Sequence, residues 1–250
     1  MKELSSLLTY DPNWYHQYQR LDGSDSSKKS LEADALMHAL RGYRRNHPGT
    51  ILDVGTATAR YPIIFSNLGW KATGIDASDA AVSIAQKELL RCGLLHRVEI
   101  SQGDVRDWEH RGEGFDVITC MMGTFTHIPE ADRQSALQRL FLNTKKGGIL
   151  AVSNWNTEWP NPTTLSLYSY KERVQLLKHS PDTQDLSDMI TQAGFTDVRV
   201  YNVCPFMDAQ IDHWLPWDEQ SPRLLQQHLF QHDIVLQGQL VLVTGQRNDH

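Results

Sequence analysis

Three carboxylates, one histidine and a turn of small residues carry most of the chemistry this chain can be read to perform. Asp53 opens the run Asp53-Val54-Gly55-Thr56-Ala57-Thr58-Ala59-Arg60, where small side chains at 55, 57 and 59 let a backbone turn tightly and approach a ligand closely. Asp76 stands 21 residues after Gly55, followed by Ala77. A carboxylate there can accept hydrogen bonds from both hydroxyls of a ribose. Asp104, in Gln102-Gly103-Asp104-Val105, is placed to accept from an adenine amino group. Farther on, Cys120-Met121-Met122-Gly123-Thr124-Phe125-Thr126-His127-Ile128-Pro129 ends in an imidazole that can act as a base or as an orienting group. Asn154-Trp155-Asn156-Thr157-Glu158-Trp159 joins aromatic rings to one carboxylate, a pairing that suits an amine through cation–π contact and an ion pair.

Each of these residues also has a plainer reading. Asp53 can order its turn through backbone hydrogen bonds, Asp76 can cap the helix that follows, and Asp104 can be a loop acid. His127 can bond backbone at the start of the next helix. Trp155 and its neighbours can be core under a lid. Tyr15, with Tyr10, Trp14 and Tyr18, can fold over a site and touch a substrate, or simply pin an amphipathic N-terminal helix.

The elements that must position these residues alternate regularly. Apolar strands are expected at Thr50–Val54, Lys71–Ile75, Arg97–Ser101, Phe115–Met121 and Ile149–Ser153. Helices are expected from near Ala59, over about 79–91 and over about 130–143, the last stopped by Gly147-Gly148. A helix at Asp185–Ala193, a strand at Thr196–Val203 and a last strand at Val235–Gln246 follow. Before all of these, the polar stretch Asp22–Ser30 reads as a loop and about 31–46 as a helix ending in Arg41, Arg44 and Arg45. The expectation is an α/β fold: an open, doubly wound, mostly parallel sheet with helices on both faces, whose ligands bind beyond the carboxyl ends of the strands. Asp53, Asp76, Asp104 and Met121 fall at those ends.

With the order and spacing of these segments laid out, ILDVGTATAR resembles the first motif of the class I S-adenosylmethionine-dependent methyltransferases. Asp76 matches their acidic second motif, Gly103-Asp104-Val105 the adenine-contacting third, and Phe115-Asp116-Val117-Ile118 the opening of the fourth. Lys145-Lys146-Gly147-Gly148-Ile149-Leu150 resembles the entry to the fifth strand, and Gln192-Ala193-Gly194-Phe195 the turn before the sixth. The likeness covers roughly residues 50–203 and the final strand. It implies a seven-stranded sheet whose last strand, Val235–Gln246, is antiparallel. It also implies S-adenosyl-L-methionine as cofactor, held by Asp53, Gly55, Thr56, Ala57, Asp76, Ala77, Asp104, Val105 and Met121. Gly123–Pro129 is similar to a stretch of glycine-type N-methyltransferases, which tilts the reading toward a nitrogen of a small molecule as the methylated atom; the residue chemistry above then makes Tyr15, Trp155 and Glu158 the candidate substrate contacts and His127 the candidate catalytic group. Where the family has glycine this chain has Ala57 and Ala59; a positive φ at either strains the turn, and negative φ at both only removes room.

Other functions fit the residues less well. A dinucleotide's pyrophosphate wants three glycines and a free helix N-terminus, so hydride transfer is the runner-up cofactor chemistry. An oxygen-directed methyltransferase would use His127 as base, and a non-catalytic binding protein would carry Ala57 and Ala59 as its mark. The net charge of −6 disfavours general nucleic-acid binding, a tRNA acceptor included. Hydrophobic residues make up 40% and charged residues 22% of 250, the balance of a globular chain with a core of ample size. Cys92, Cys120 and Cys204 have no paired spacing, and the histidines show no metal-ligand pattern, so no metal is expected. No apolar run reaches membrane-spanning length and the first residues lack a leader's pattern, so the expectation is a cytoplasmic protein without membrane attachment. Residues 1–46 are expected as a lid or helical segment on a domain spanning 47–250. Within that domain 204–232, with Trp214 and Trp217, would be a substrate cap or a homodimer contact.

Overall fold

The computed structural model describes residues 12–21, 23–41, 48–110, 112–160, 162, 164–214 and 220–248. Tyr10, Arg44, Arg45 and Trp217 lie outside them. Seven strands form one sheet in the order β3-β2-β1-β4-β5-β7-β6. They are β1 (Thr50–Val54), β2 (Lys71–Asp76), β3 (Val98–Gln102), β4 (Phe115–Cys120), β5 (Thr144–Trp155), β6 (Thr196–Val203) and β7 (Leu240–Gln246). The pairs β1–β2, β1–β4, β2–β3 and β4–β5 are parallel; β7 runs antiparallel to both β5 and β6. The strand order reverses between β1 and β4, and a crevice opens at such a switch point.

Both faces of the sheet are covered, which is why its central strands are apolar without alternation. Ile51, Val117 and Leu242 face one layer with Leu31, Leu36, Phe65 and Leu89; their neighbours Leu52, Ile118 and Val243 face the other with Leu137, Leu140 and Ile190. Among the described residues the helices are α1 (Pro12–Gln19), α2 (Gly23–Arg41), α3 (Arg60–Asn67), α4 (Asp79–Arg91), α5 (Glu130–Asn143), α6 (Tyr170–His179), α7 (Thr183–Gln192), α8 (Asp208–Trp214) and α9 (Ser221–Gln231).

Several boundaries differ from expectation, each for a local reason. The polar stretch expected as a loop is helical from Gly23, because its polar side chains turn inward and are satisfied there. Lys28 is fully buried, and its Nζ donates to Asp25 Oδ1 (3.2 Å), Asp208 Oδ2 (3.0 Å) and the carbonyl of Thr164 (3.3 Å). The last strand starts at Leu240 rather than Val235, since Leu240 pairs with Trp155 and Val203, the last residues of β5 and β6. No helix was expected over 170–179, although a capping box marks it: the Ser169 hydroxyl accepts from Glu172 N, and Glu172 Oε2 accepts from Ser169 N. The stretch 204–232, expected as a long connection, holds α8 and α9. No helix among the described residues is long and apolar enough to cross a membrane.

Candidate active site

At the carboxyl ends of β1, β2 and β4 lies a cavity of about 510 Å³, within the ~300–1,000 Å³ span of small-molecule pockets. The β1 turn forms its floor. Gly55 and Thr56 donate their N–H groups to the carbonyl of Ile75 (2.8 and 3.0 Å), which folds the turn against β2. Gly55 has φ +68°, and a Cβ there would sit 2.3 Å from Thr124 Cγ2, so both conformation and space call for glycine. Ala57 and Ala59 also have positive φ, 47° and 59°. The turn therefore keeps the left-handed backbone of a glycine turn and carries the strain of two methyl groups.

Asp76 holds that turn in place. Its Oδ2 accepts from Ala57 N and its Oδ1 from Ser78 N, both at 2.9 Å. Each oxygen keeps further acceptor capacity toward the cavity, so ribose hydroxyls fit alongside the backbone donors. The helix-capping role belongs to Ser78, whose hydroxyl accepts from Ala81 N. Burial raises the Asp76 pKa, against the pull of its two backbone hydrogen bonds. Asp53 is buried, accepts from the Thr119 hydroxyl at 2.7 Å, and is pushed up to about 7 by burial, with that hydrogen bond opposing. Asp104 accepts from its neighbour Arg106 through the guanidinium, Nη2 to Oδ2 at 2.6 Å. Burial works against its ionisation, but Arg106 outweighs this and holds it below the usual carboxylate range. Arg106 also reaches Asp132 (3.2 Å) and lines the cavity, a contact with no signal in the motif around Asp104.

Gly55, Thr56, Ala57, Asp53, Asp76, Ala77, Asp104, Val105, Met121, Tyr15 and His127 all line this one cavity. Tyr15 stands on the Asp76 side, packed on Ala81 and Ile84 of α4. Burial, then the charge of Asp76, raises its hydroxyl pKa. Trp14 brackets the entrance, stacked on Tyr18 (5.5 Å between ring centres) and tilted against Tyr168 (5.6 Å). His127 ends a short turn of 3₁₀ helix, Thr124–His127, launched by Gly123 at φ +75°. Burial pushes its pKa down to about 4, so the ring is neutral at pH 7.

Trp155 and Glu158 are not among the cavity's lining residues. Trp155 is buried behind the β4 turn, so close that a Cβ on Gly123 would lie 2.2 Å from its Nε1. Glu158 is exposed, with its N–H bonded to Asn156 Oδ1. In their place the structure brings a cluster that the sequence motifs did not flag. Glu32, fully buried on α2, accepts from Tyr61 Oη (2.6 Å), Arg60 Nη1 (3.3 Å), Met122 N (2.8 Å) and the Ser153 hydroxyl. It thereby fixes the left-handed Met122 (φ 53°) at the end of β4. A glutamate inside a polar helical stretch reads as surface, which is why no pattern singled it out.

A family model described as a methyltransferase domain matches residues 51–148, from β1 through the entry to β5. Carboxy-S-adenosyl-L-methionine synthase of Chromohalobacter salexigens is 32% identical over 81 residues, 32% of this chain and 29% of that protein. Glycine N-methyltransferase of Oryctolagus cuniculus is 26% identical over 156 residues, 56% of this chain and 50% of that protein. The chain thus spans half or less of the length of these two relatives. The ubiquinone/menaquinone biosynthesis C-methyltransferase of Klebsiella pneumoniae is 23% identical over 65% of this chain and 71% of that protein. Among solved structures, phosphoethanolamine N-methyltransferase 2 of Haemonchus contortus, in complex with S-adenosyl-L-methionine, superposes with a TM-score of 0.60. It shares 16% identity and is matched over 86% of this chain and 52% of its own, a likeness of fold.

Proposed function

We propose that the chain is a class I S-adenosylmethionine-dependent methyltransferase that transfers the methyl group to an amine of a small molecule. One observation carries the cofactor part: Asp53, Asp76 and Asp104, from the ends of β1, β2 and the stretch after β3, open into one cavity floored by the Gly55 turn. S-adenosylmethionine, when bound, supplies an electrophilic methyl on sulfur. Asp76 and Asp104 offer acceptors for ribose and adenine, and Asp53 offers a carboxylate to an ammonium.

The reading of the acceptor rests on His127 and the aromatic entrance. Methyl transfer is helped chiefly by holding the acceptor in line with the sulfonium. A hydroxyl usually needs a base in that step, and a good base has its pKa near the working pH. His127, at about 4, is too weak for that work. A neutral imidazole orients an amine through one hydrogen bond, while Trp14 and Tyr168 offer aromatic walls to a cationic amine before it loses its proton. The relatives named above act on nitrogen and on carbon, so the acceptor atom stands as this reading's own claim. Domain organisation follows the same reading: α1 covers one side of the cavity of a methyltransferase domain over 47–250, and α8 and α9, in the stretch read as a cap or oligomer contact, pack against α2.

The test is formation of S-adenosylhomocysteine from a panel of primary and secondary amines set beside phenols, alcohols and activated carbon acids. Turnover restricted to amines, with His127→Ala losing only part of kcat, is the expected outcome. Turnover of hydroxyl or carbon acids alone, or complete loss in His127→Ala with cofactor affinity intact, would contradict it.

A further inference from the structure

Four aspartates, Asp53, Asp76, Asp79 and Asp104, line the cavity among its apolar and aromatic residues, and two arginines join them: Arg106, held by Asp104 and Asp132, and Arg60. Arg60 begins α3, directly after the left-handed Ala59, so its side chain leaves the β1 turn toward α2. There Nη1 donates to the buried Glu32 and Nη2 to the carbonyl of Lys29. A guanidinium has five N–H groups in a rigid fork, so these bonds aim it without exhausting it. Tyr18 and Tyr61, on either side of it, line the same cavity. Lys29 stands behind, its Nζ 4.2 Å over the Tyr18 ring and bonded to the Tyr18 carbonyl.

Arg60 and Lys29 share this corner with the buried Glu32 of α2, and Asp53 lines the same cavity. Burial, and then the Arg60 charge, pull Lys29 down to about 8. Burial raises the Asp53 pKa, and the charge of Arg60 acts against that rise. A partly buried positive corner that opens into a ligand cavity is stabilised by an anion arriving with the ligand.

We propose that Arg60, aimed by Glu32 and backed by Lys29, is the anchor for a carboxylate on the molecule that fills this cavity. The inference rests on the methyl-transfer reading, and two carboxylates meet its chemistry: the α-carboxylate of the cofactor's methionine part, and an acid group on the amine acceptor. Glu32 is a positioning residue in this arrangement, because it touches the anchor and not the ligand.

Calorimetry on the full chain separates the sources. Wild type, Arg60→Gln and Arg60→Lys are titrated with S-adenosylmethionine, with its decarboxylated analogue, and, in the presence of S-adenosylhomocysteine, with α-amino acids and their amides. Far-ultraviolet circular dichroism and thermal unfolding check that each variant folds; Arg60→Lys keeps a cation for Glu32 and serves if Arg60→Gln does not fold. A cofactor anchor predicts that wild type binds the decarboxylated analogue about tenfold or more weakly, and that Arg60→Gln erases this preference. An acceptor anchor predicts cofactor affinity unchanged in Arg60→Gln, while the preference of the wild-type complex for amino acids over amides disappears. Folded variants that keep wild-type preferences in both arms, or a wild type indifferent to the carboxylate in both, overturn the anchor. A wild type that binds neither S-adenosylmethionine nor S-adenosylhomocysteine overturns the methyl-transfer reading itself, and the anchor with it.

Discussion

Two methyl groups in the β1 turn set the most local test. Ala57 and Ala59 hold φ of 47° and 59°, a conformation that costs an L-residue roughly 1–2 kcal/mol, part of which glycine returns as unfolded-chain entropy. Ala57→Gly and Ala59→Gly should therefore each stabilise the chain, by about 0.5–1 kcal/mol, in urea unfolding monitored by fluorescence. Unchanged or lower stability in both would contradict the assigned backbone. Asp53 makes a pH prediction. Its folded pKa of about 7 lies above the ordinary 3.8, so the native state holds a proton that the unfolded chain has lost. Its contribution to stability is complete below pH 3.8 and is lost as pH rises to about 7. His127 works in the opposite sense. Its folded pKa of about 4 lies below 6.5, so its contribution is present above pH 6.5 and lost as pH falls toward 4. Asp53→Asn should flatten the decline between pH 4 and 7 in thermal unfolding, and His127→Gln should flatten the loss on the acid side; unaltered slopes would refute these assignments.

At the scale of elements, the second helix decides how the cavity is walled. From α2, Lys28 reaches Asp25, Asp208 and the Thr164 carbonyl, while Asp25 Oδ2 accepts from the backbone and hydroxyl of Ser166 (2.7 and 2.6 Å). One buried cation thus ties α2 to α8 and to the segment bearing Leu165 and Tyr168 of the cavity wall. Lys28→Met leaves two carboxylates without their shared cation, and removal of one partner from a buried ion pair costs about 3–5 kcal/mol. The expected outcome is a loss of that order in thermal unfolding, with acceptor KM raised more than cofactor Kd. A loss under 1 kcal/mol would mean that the network does not hold the wall. Glu32 and Lys28 also show what a sequence hides. The strands were legible because a sheet covered on both faces needs unbroken apolar runs, and Thr50–Val54 and Thr196–Val203 have the expected bounds. Asp53, Asp76 and Asp104 were legible because strand ends face the crevice. Glu32, Lys28 and Arg60 were not, since a buried charge owes its place to distant partners such as Ser153 and Asp208. Trp155 misled in the converse way: an aromatic after a strand end reads as a wall, but the close approach of Gly123 puts it behind one.

Over the whole molecule, the acidic surplus and the topology agree. A net charge of −6 and a cavity lined by four aspartates favour a ligand with cationic groups, and Arg60 and Arg106 are the basic side chains that line it. The switch between β1 and β4 places that cavity where both halves of the sheet contribute to it. The acceptor and the carboxylate anchor both depend on what enters there. Isothermal titration of the full chain with S-adenosylmethionine and with S-adenosylhomocysteine tests this most directly. The account predicts one site per chain for each, weakened at least about tenfold by Asp76→Ala, which removes the ribose acceptor. Absence of binding for both ligands, by a wild-type chain shown to be folded, would contradict it.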